Sequence, residues 1–135
     1  MFPLKSIMET DVSIVHPETH IFVAMNLFVK EGLTGVPVVD VTEKLVGFLS
    51  EKDVLKMLVS GETADRLNVS HYMSTDIKTF GPDESAVDAC EFFMRNPIHM
   101  LPITDEEGKY LGIVRRRDII FLILRIRGKI YRKKR

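Results

Sequence analysis

Two aspartates, Asp53 and Asp118, stand in matching places, each closing a short polar run that follows an apolar stretch and opens a segment of helical character. The runs are Ser50-Glu51-Lys52-Asp53 and Arg115-Arg116-Arg117-Asp118. An ionised carboxylate accepts both hydroxyl donors of a ribose diol. A helix start adds free backbone N–H groups, which cradle a phosphate when a hydroxyl or cations stand beside them. These residue types are chemically suited to non-covalent recognition of a ligand that carries hydroxyls and phosphate.

A structural role competes at the first position. Ser-x-x-acid at a helix start is also a capping box, worth about 1 kcal/mol, and both roles stay open for Ser50 and Asp53. At the second, Arg115 replaces the capping hydroxyl while Asp118 stays. Three arginines at a helix N-terminus oppose the helix dipole by roughly 0.3 to 1 kcal/mol each. A bound anion offsets that cost, as would solvation or pairing with Glu106 and Glu107, and the balance favours a ligand at Asp118.

Other candidates carry less. His16 and His20 are four apart, but Pro17 puts His16 ahead of any helix and argues against a chelating pair. The single cysteine, Cys90, excludes an internal disulfide and a thiolate cluster. Neither a nucleophile–base spacing nor a glycine-rich phosphate loop is present, so the chain is not expected to be an enzyme.

The elements that position these residues repeat. Residues 8–58 align with 73–123 at an offset of 65 without a gap, and Met8/Met73, Asp11/Asp76, Pro17/Pro82, Pro37/Pro102, Gly47/Gly112 and Asp53/Asp118 are identical. Each copy starts with a β-prone run, Val12 to Val15 or Ile77 to Phe80, stopped at a proline. Ile21, Ala24, Met25 and Phe28 then follow helical spacing, as do Ala86, Ala89, Cys90 and Phe93, ending near Gly32 and before Pro97. Met25 and Cys90 share one position and read as core filler. A hairpin follows, Val36 to Asp40 with Leu45 to Leu49, or Leu101 to Asp105 with Tyr110 to Val114. A second helix starts near Glu51 or Arg116, with Val54, Leu55 and Leu58, or Ile119, Ile120 and Ile123, expected inward. One such unit buries too little apolar surface alone, so the two should pack through their sheets.

The lead-ins Ile7-Met8-Glu9-Thr10-Asp11 and Tyr72-Met73-Ser74-Thr75-Asp76, the Gly-Val-Pro-Val-Val-Asp at 35–40, the Met-Leu-Pro-Ile-Thr-Asp at 100–105, and the Gly-x-x-x-x-x-Asp runs ending at 53 and 118 together resemble the CBS domain pair, or Bateman module. The likeness covers nearly the whole chain. It implies an α+β fold, a tandem pair of β-α-β-β-α domains packed sheet to sheet about a pseudo-two-fold axis, with residues 1–62 as the first domain, 63–126 as the second and 127–135 as a basic tail. It further implies a stand-alone regulatory module that binds AMP, ADP or ATP between the domains, with S-adenosylmethionine as a possible ligand in the family, and relays occupancy to an unidentified regulated protein. In such modules backbone beside the first and second strands meets adenine, the aspartate meets ribose and the residue three before it meets phosphate. Carried onto this sequence, the preferred site comprises Met73, Ile77, Lys78, Ile98, His99, Met100, Leu101, Pro102, Arg115, Arg116, Arg117 and Asp118. The other comprises Met8, Val12, Ser13, Leu33, Thr34, Gly35, Val36, Pro37, Ser50, Lys52 and Asp53. Some nucleotide-binding relatives present a histidine to phosphate where His99 stands. Related modules pair through their second helices, so a homodimer is expected, the more so because Asp118 to Ile126 is apolar on several faces.

Composition sets the outer limits. The chain has 135 residues, is 45% hydrophobic and carries no net charge, yet seven basic residues fall in the last eleven positions and leave the rest near −7. Such a tail is most often a solvated end; gripping nucleic acid or an anionic surface is its alternative use, and the remaining alternative for the protein is an interaction dimer with vestigial clefts. The longest apolar run, Ile119 to Leu124, is far short of the roughly 20 residues of a membrane span, and the first residues do not read as a secretory leader. A cytoplasmic protein is expected.

Overall fold

A computed structural model describes residues 2–61 and 66–128. The first unit contains α1 (Ile21–Glu31), β1 (Gly35–Val39), β2 (Leu45–Ser50) and α2 (Glu51–Ser60); the second contains α3 (Ala86–Arg95), β3 (Met100–Thr104), β4 (Tyr110–Arg115) and α4 (Arg116–Ile126). Short 3-10 turns, Leu4–Ser6 and Val69–His71, precede them. Most of the basic tail, residues 129–135, and linker residues 62–65 lie outside the described residues. Among the described residues no helix is long and apolar enough to cross a membrane.

Each helix is set by local chemistry. His20 caps α1 by accepting from the Phe22 N–H at 3.1 Å, and Ser85 caps α3 by accepting from Val87 at 3.0 Å. Helix α1 ends in a left-handed Gly32 at φ 64°, whose N–H closes on the Phe28 carbonyl. Helix α3 has no glycine there, and its end is satisfied from outside. The Arg116 Nη2 donates to the carbonyls of Phe93 (3.2 Å) and Asn96 (3.0 Å), and its Nε donates to Ile98 (3.1 Å). Three carbonyls therefore depend on one side chain. Replacing Arg116 with alanine is expected to cost about 2 kcal/mol, and a thermal melt should fall by roughly 5–10 °C.

The β-prone run that opens each copy is shorter than its sequence suggests. Val15 makes one parallel bridge to β1, donating to Pro37 at 3.0 Å and accepting from Val39 at 2.9 Å; Phe80 does the same with Pro102 and Thr104 at 3.1 and 3.0 Å. The next rung toward the N-terminus needs an N–H from Pro37 or Pro102, and the next rung toward the C-terminus needs one from Pro17 or Pro82. Proline has none. Val12 to Ile14 and Ile77 to Thr79 therefore lie outside any strand, with backbone free of the ladder.

The hairpins pair antiparallel, each with a bulge, at Val38/Val39 and Ile103/Thr104. Their turns are held alike: the Asp40 carboxylate accepts from the Thr42 and Lys44 N–H groups, and Asp105 accepts from Glu107 and Lys109. Buried Ile21, Ala24, Phe28, Val36, Val38 and Leu49 fill one core; Ala86, Ala89, Phe93, Leu101, Ile103 and Val114 fill the other. The inner faces of α1 and α3 match the helical spacing. Those of α2 and α4 are rotated from the expected one: Val54 and Met57, or Ile119 and Leu122, face inward, while Leu55 and Leu58, or Ile120 and Ile123, are exposed. A helix resting on a two-stranded sheet buries only a narrow i, i+3 stripe, and a segment apolar on several sides does not mark which stripe that is.

The two units exchange their lead-ins. Leu4, Ile7 and Met8 pack on the second core, and Val69, Tyr72 and Met73 on the first. Glu9 bonds reciprocally to Ile113 of β4 at 2.8 and 2.9 Å, and Ser74 to Phe48 of β2 at 2.9 Å both ways. A lead-in backbone thus runs against the neighbouring unit's last strand, and a glycine makes room for it. A Cβ on Gly112 would stand 2.6 Å from the Glu9 carbonyl oxygen, and one on Gly47 would stand 2.5 Å from the Met73 sulfur.

Candidate functional site

The exchange sets each of the two helix starts, at Asp53 and at Asp118, against the lead-in of one unit and the last strand of the other. At the start of α2 the Ser50 and Asp53 side chains form the reciprocal cap: Asp53 Oδ2 accepts from the Ser50 N–H and hydroxyl, each at 2.9 Å, and Ser50 Oγ accepts from the Asp53 N–H at 3.2 Å. The cap occupies Oδ2 alone. Among the described residues Oδ1 faces the Lys56 ammonium alone, at 4.0 Å, so capping orients the carboxylate without exhausting it. Both roles that the sequence leaves open for Asp53 are thus compatible.

Facing this helix start is a cavity of about 490 Å³, within the range of roughly 300–1,000 Å³ typical of small-molecule sites. Thr34, Phe48, Ser50, Glu51, Lys52 and Asp53 line it from the first unit, and Ser74, Asp76, Ile77, Lys78, Pro97, Ile98, His99, Met100 and Pro102 from the second. Ile77 and Lys78 belong to the lead-in that proline keeps out of the sheet, so their backbone N–H and C=O groups are available to a planar heterocycle. Lys52, Lys78 and His99 supply donors around the same space.

The sequence-derived grouping by repeat is therefore redistributed. Ile77, Lys78, Ile98, His99, Met100 and Pro102 share a cleft with Asp53, not with Asp118. Leu101, Leu33, Val36 and Pro37 lie in the buried interior, and Met8, Val12 and Met73 pack against the cores. Gly35 lies against the Phe48 ring, which a Cβ would strike. The Ser13 hydroxyl donates to Glu31 at 2.8 Å. The Arg116 guanidinium donates to the carbonyls at the end of α3 and just beyond it. Sequence reasoning missed Ser74, Asp76 and Glu9, because nothing local shows that the lead-ins cross over.

The Asp118 end is built differently from the Asp53 end. In place of an arginine cluster awaiting an anion, the structure has the Glu9 carboxylate there. Arg117 donates to Glu9 Oε1 at 3.0 Å, and Arg115 Nε stands 3.1 Å from Oε2 in a charge contact without hydrogen-bond alignment. Asp118 Oδ2 accepts from the Arg115 N–H at 2.8 Å. Burial, and a hydrogen bond shared with Glu9, push the Asp118 carboxyl up to about 6. Burial acts upward on Glu9 too, but the bonds to Asp118 and Arg117 and the charges of Arg115 and Arg117 outweigh it and hold Glu9 below its ordinary range. Burial beside Glu9 also raises the Tyr110 phenol to about 12.

Because the folded state holds the Asp118 proton more tightly than the unfolded chain, the stability it contributes is full below pH 3.8, the ordinary value, and is lost as pH rises through about 6. Glu9 runs the other way, contributing above its ordinary 4.5 and losing that as pH falls. Carboxyl NMR should show Asp118 titrating near pH 6, and Glu9→Ser should move the midpoint down. An unchanged midpoint would mean burial alone sets it.

The CBS domain family matches residues 4–60 and 69–125, one match for each unit. A 17.7 kDa protein of Acidianus ambivalens is 31% identical over 121 residues, covering 90% of this chain and 73% of that protein. The inosine-5'-monophosphate dehydrogenase of Aquifex aeolicus is 34% identical over 107 residues, 78% of this chain but only 21% of the enzyme. Among solved structures, CBSX2 of Arabidopsis thaliana in complex with AMP superposes with a TM-score of 0.83 at 25% identity, covering 94% of this chain and 99% of that one. The CBS domain pair of protein MJ0100, in complex with 5'-methylthioadenosine and S-adenosyl-L-methionine, superposes at 0.78 with 24% identity, covering 96% and 99%. Two matched repeats, the exchanged lead-ins and the cleft between the units lead to one conclusion: this chain belongs to the CBS domain family and carries a CBS pair.

Proposed function

We propose that the cleft at Asp53 binds an adenine nucleotide, AMP, ADP or ATP, and that its occupancy is relayed to a partner protein. The observation that carries this reading is the meeting, in one cavity, of the Ser50–Asp53 helix start from one unit with Ile77, Lys78, His99 and Met100 from the other. In this reading Asp53 Oδ1 accepts from the ribose hydroxyls, and the Ser50 hydroxyl, the Lys52 ammonium and backbone N–H, and His99 meet phosphate. Adenine stacks against Ile77, Ile98 and Pro102, with its edge on the free backbone of the lead-in. CBSX2 holding AMP supports an adenosine ligand in this architecture. The role is regulatory rather than catalytic.

Isothermal titration with AMP, ADP, ATP and S-adenosylmethionine tests the proposal. Binding of at least one phosphate-bearing ligand is expected, and ligand at 100 times its Kd should raise stability by about 2.7 kcal/mol. No heat and no thermal shift with any of the four would sink it. Binding of S-adenosylmethionine alone would assign the cleft to a phosphate-free adenosine ligand instead.

For the relay, the exposed faces of α2 and α4 are the natural surface: Leu58 is 90% exposed, Val59 89% and Phe121 52%. We read them as a homodimer face, since such apolar area on a lone module invites association. Light scattering should give about twice the 15.5 kDa chain mass, and Leu58→Glu with Phe121→Glu should return it to one chain. A wild-type monomer at micromolar concentration would refute this.

A further inference from the structure

We propose that the cleft around Asp118 is a latent second nucleotide site, held shut by the Glu9 side chain acting as an intramolecular anion. The inference rests on the nucleotide reading of the Asp53 cleft and extends it to the other half of the molecule.

The internal repeat supplies the comparison. Glu9 and Ser74 occupy the same position 65 residues apart, and each is pinned by two backbone bonds to the last strand of the opposite unit, Glu9 to Ile113 and Ser74 to Phe48. With equal backbones, only the side chains differ. Ser74 carries a short hydroxymethyl group and lines an open cavity across from Ser50. Glu9 carries a carboxylate that spans the equivalent gap to Arg115, the residue in Ser50's place, and to Arg117, in that of Lys52. The substitutions are complementary: a serine facing a serine on one side becomes an acid facing an arginine on the other.

Glu9 also has the burial and charge of a bound ligand. Its side chain is 17% exposed, as is typical of a seated group rather than a surface acid, and that of Arg115 is 20% exposed. The charged and titratable groups around it are Arg115, Arg117, Asp118 and the Tyr110 hydroxyl. Two cations thus face two acids, and the cluster is balanced without a ligand. A nucleotide phosphate would meet the carboxylate first, in the space it needs and on the guanidinium groups it would use.

Removing the carboxylate frees two guanidinium groups beside Asp118, at the positions where the Asp53 cleft carries Ser50 and Lys52. Guanidinium groups bind phosphate oxygens in pairs. The opened cleft should therefore take a nucleoside polyphosphate, ATP ahead of AMP, with Asp118 on the ribose.

Titration calorimetry with ATP at pH 7.5 on the full chain reads this directly. Wild type is expected to bind one ATP per chain, Glu9→Ser two, Asp53→Ala none, and the Asp53→Ala/Glu9→Ser double variant one. Adding Asp118→Ala to the double variant should abolish that last event. Two ATP per wild-type chain, or no binding by a double variant that melts like wild type, would overturn the inference. Serine is the residue the repeat itself carries at this position, and Glu9→Gln, which keeps the volume and removes the charge, provides a second variant expected to move in the same direction. The two readings fail separately: ATP bound by the double variant, with neither AMP, ADP nor ATP bound by wild type, leaves the latch standing and removes the Asp53 site. ATP bound by wild type once and by the double variant not at all does the reverse.

Discussion

Alanine at Asp53 is expected to weaken AMP binding on the order of 100-fold. The reason is the number of charge-assisted bonds lost. A carboxylate accepting two ribose hydroxyls contributes about 1.5–3 kcal/mol for its bonds, and each 1.4 kcal/mol is tenfold in Kd. The same change removes the acceptor for the Ser50 N–H, which should lower stability by about 1 kcal/mol. Asp53→Asn separates the two effects, because the amide oxygen can still accept from that N–H while the negative charge is gone. Melting near wild type with binding at least tenfold weaker is the expected result for asparagine. Wild-type affinity in both variants would show that the ribose sits elsewhere and that Asp53 is a cap only.

Gly112→Ala should be the most damaging small substitution in the chain. A strand glycine replaced by alanine ordinarily gains, because the unfolded chain loses freedom and strand propensity rises. Here the added Cβ would stand 2.6 Å from the Glu9 carbonyl oxygen. That oxygen accepts from the Ile113 N–H at 2.9 Å and cannot retreat without breaking the exchange. Overpacking of this kind costs about 1–3 kcal/mol, and the upper end is expected, seen as a fall in melting temperature of roughly 5–15 °C. Gly47→Ala is the internal control. Its obstacle is the Met73 side chain, an unbranched thioether that can turn aside, so the loss should be about 1 kcal/mol or less. Equal, small losses at the two glycines would mean that the Glu9 backbone is not pinned as described.

The two experiments probe one architectural device. Because each lead-in crosses to the other unit, a helix start and the backbone opposite it never come from the same repeat. On the proposed reading a ligand in the Asp53 cleft would touch both units, and its binding energy would depend on how they sit together, which is the means by which occupancy would bias the exposed faces of α2 and α4.

Much of this was legible in the residues alone. The 65-residue offset exposed two units, helical spacing located α1 and α3 with their inner faces, and Gly32 and Pro97 marked where they end. Asp53 and Asp118 stood out by position at a helix start. The prolines at 17 and 82 marked where the first strand stops, but its reduction to a single bridge follows from its pairing opposite Pro37 and Pro102, whose missing N–H groups forbid the adjoining rung. These features share one physical property: each depends on groups within a few residues of one another, or on a bond that a residue type cannot make.

What the tertiary structure alone decided is non-local. Arg117 meets Glu9 across 108 residues of chain, and no spacing rule reaches that far. The exchange of lead-ins, the joining of Asp53 with Lys78 and His99, the turning of Arg116 onto α3 and the narrow buried stripe of α2 and α4 all follow from which surfaces meet. The sequence placed an arginine-rich helix start beside Asp118 and made an external anion look necessary. The fold showed that the anion is already supplied by the chain.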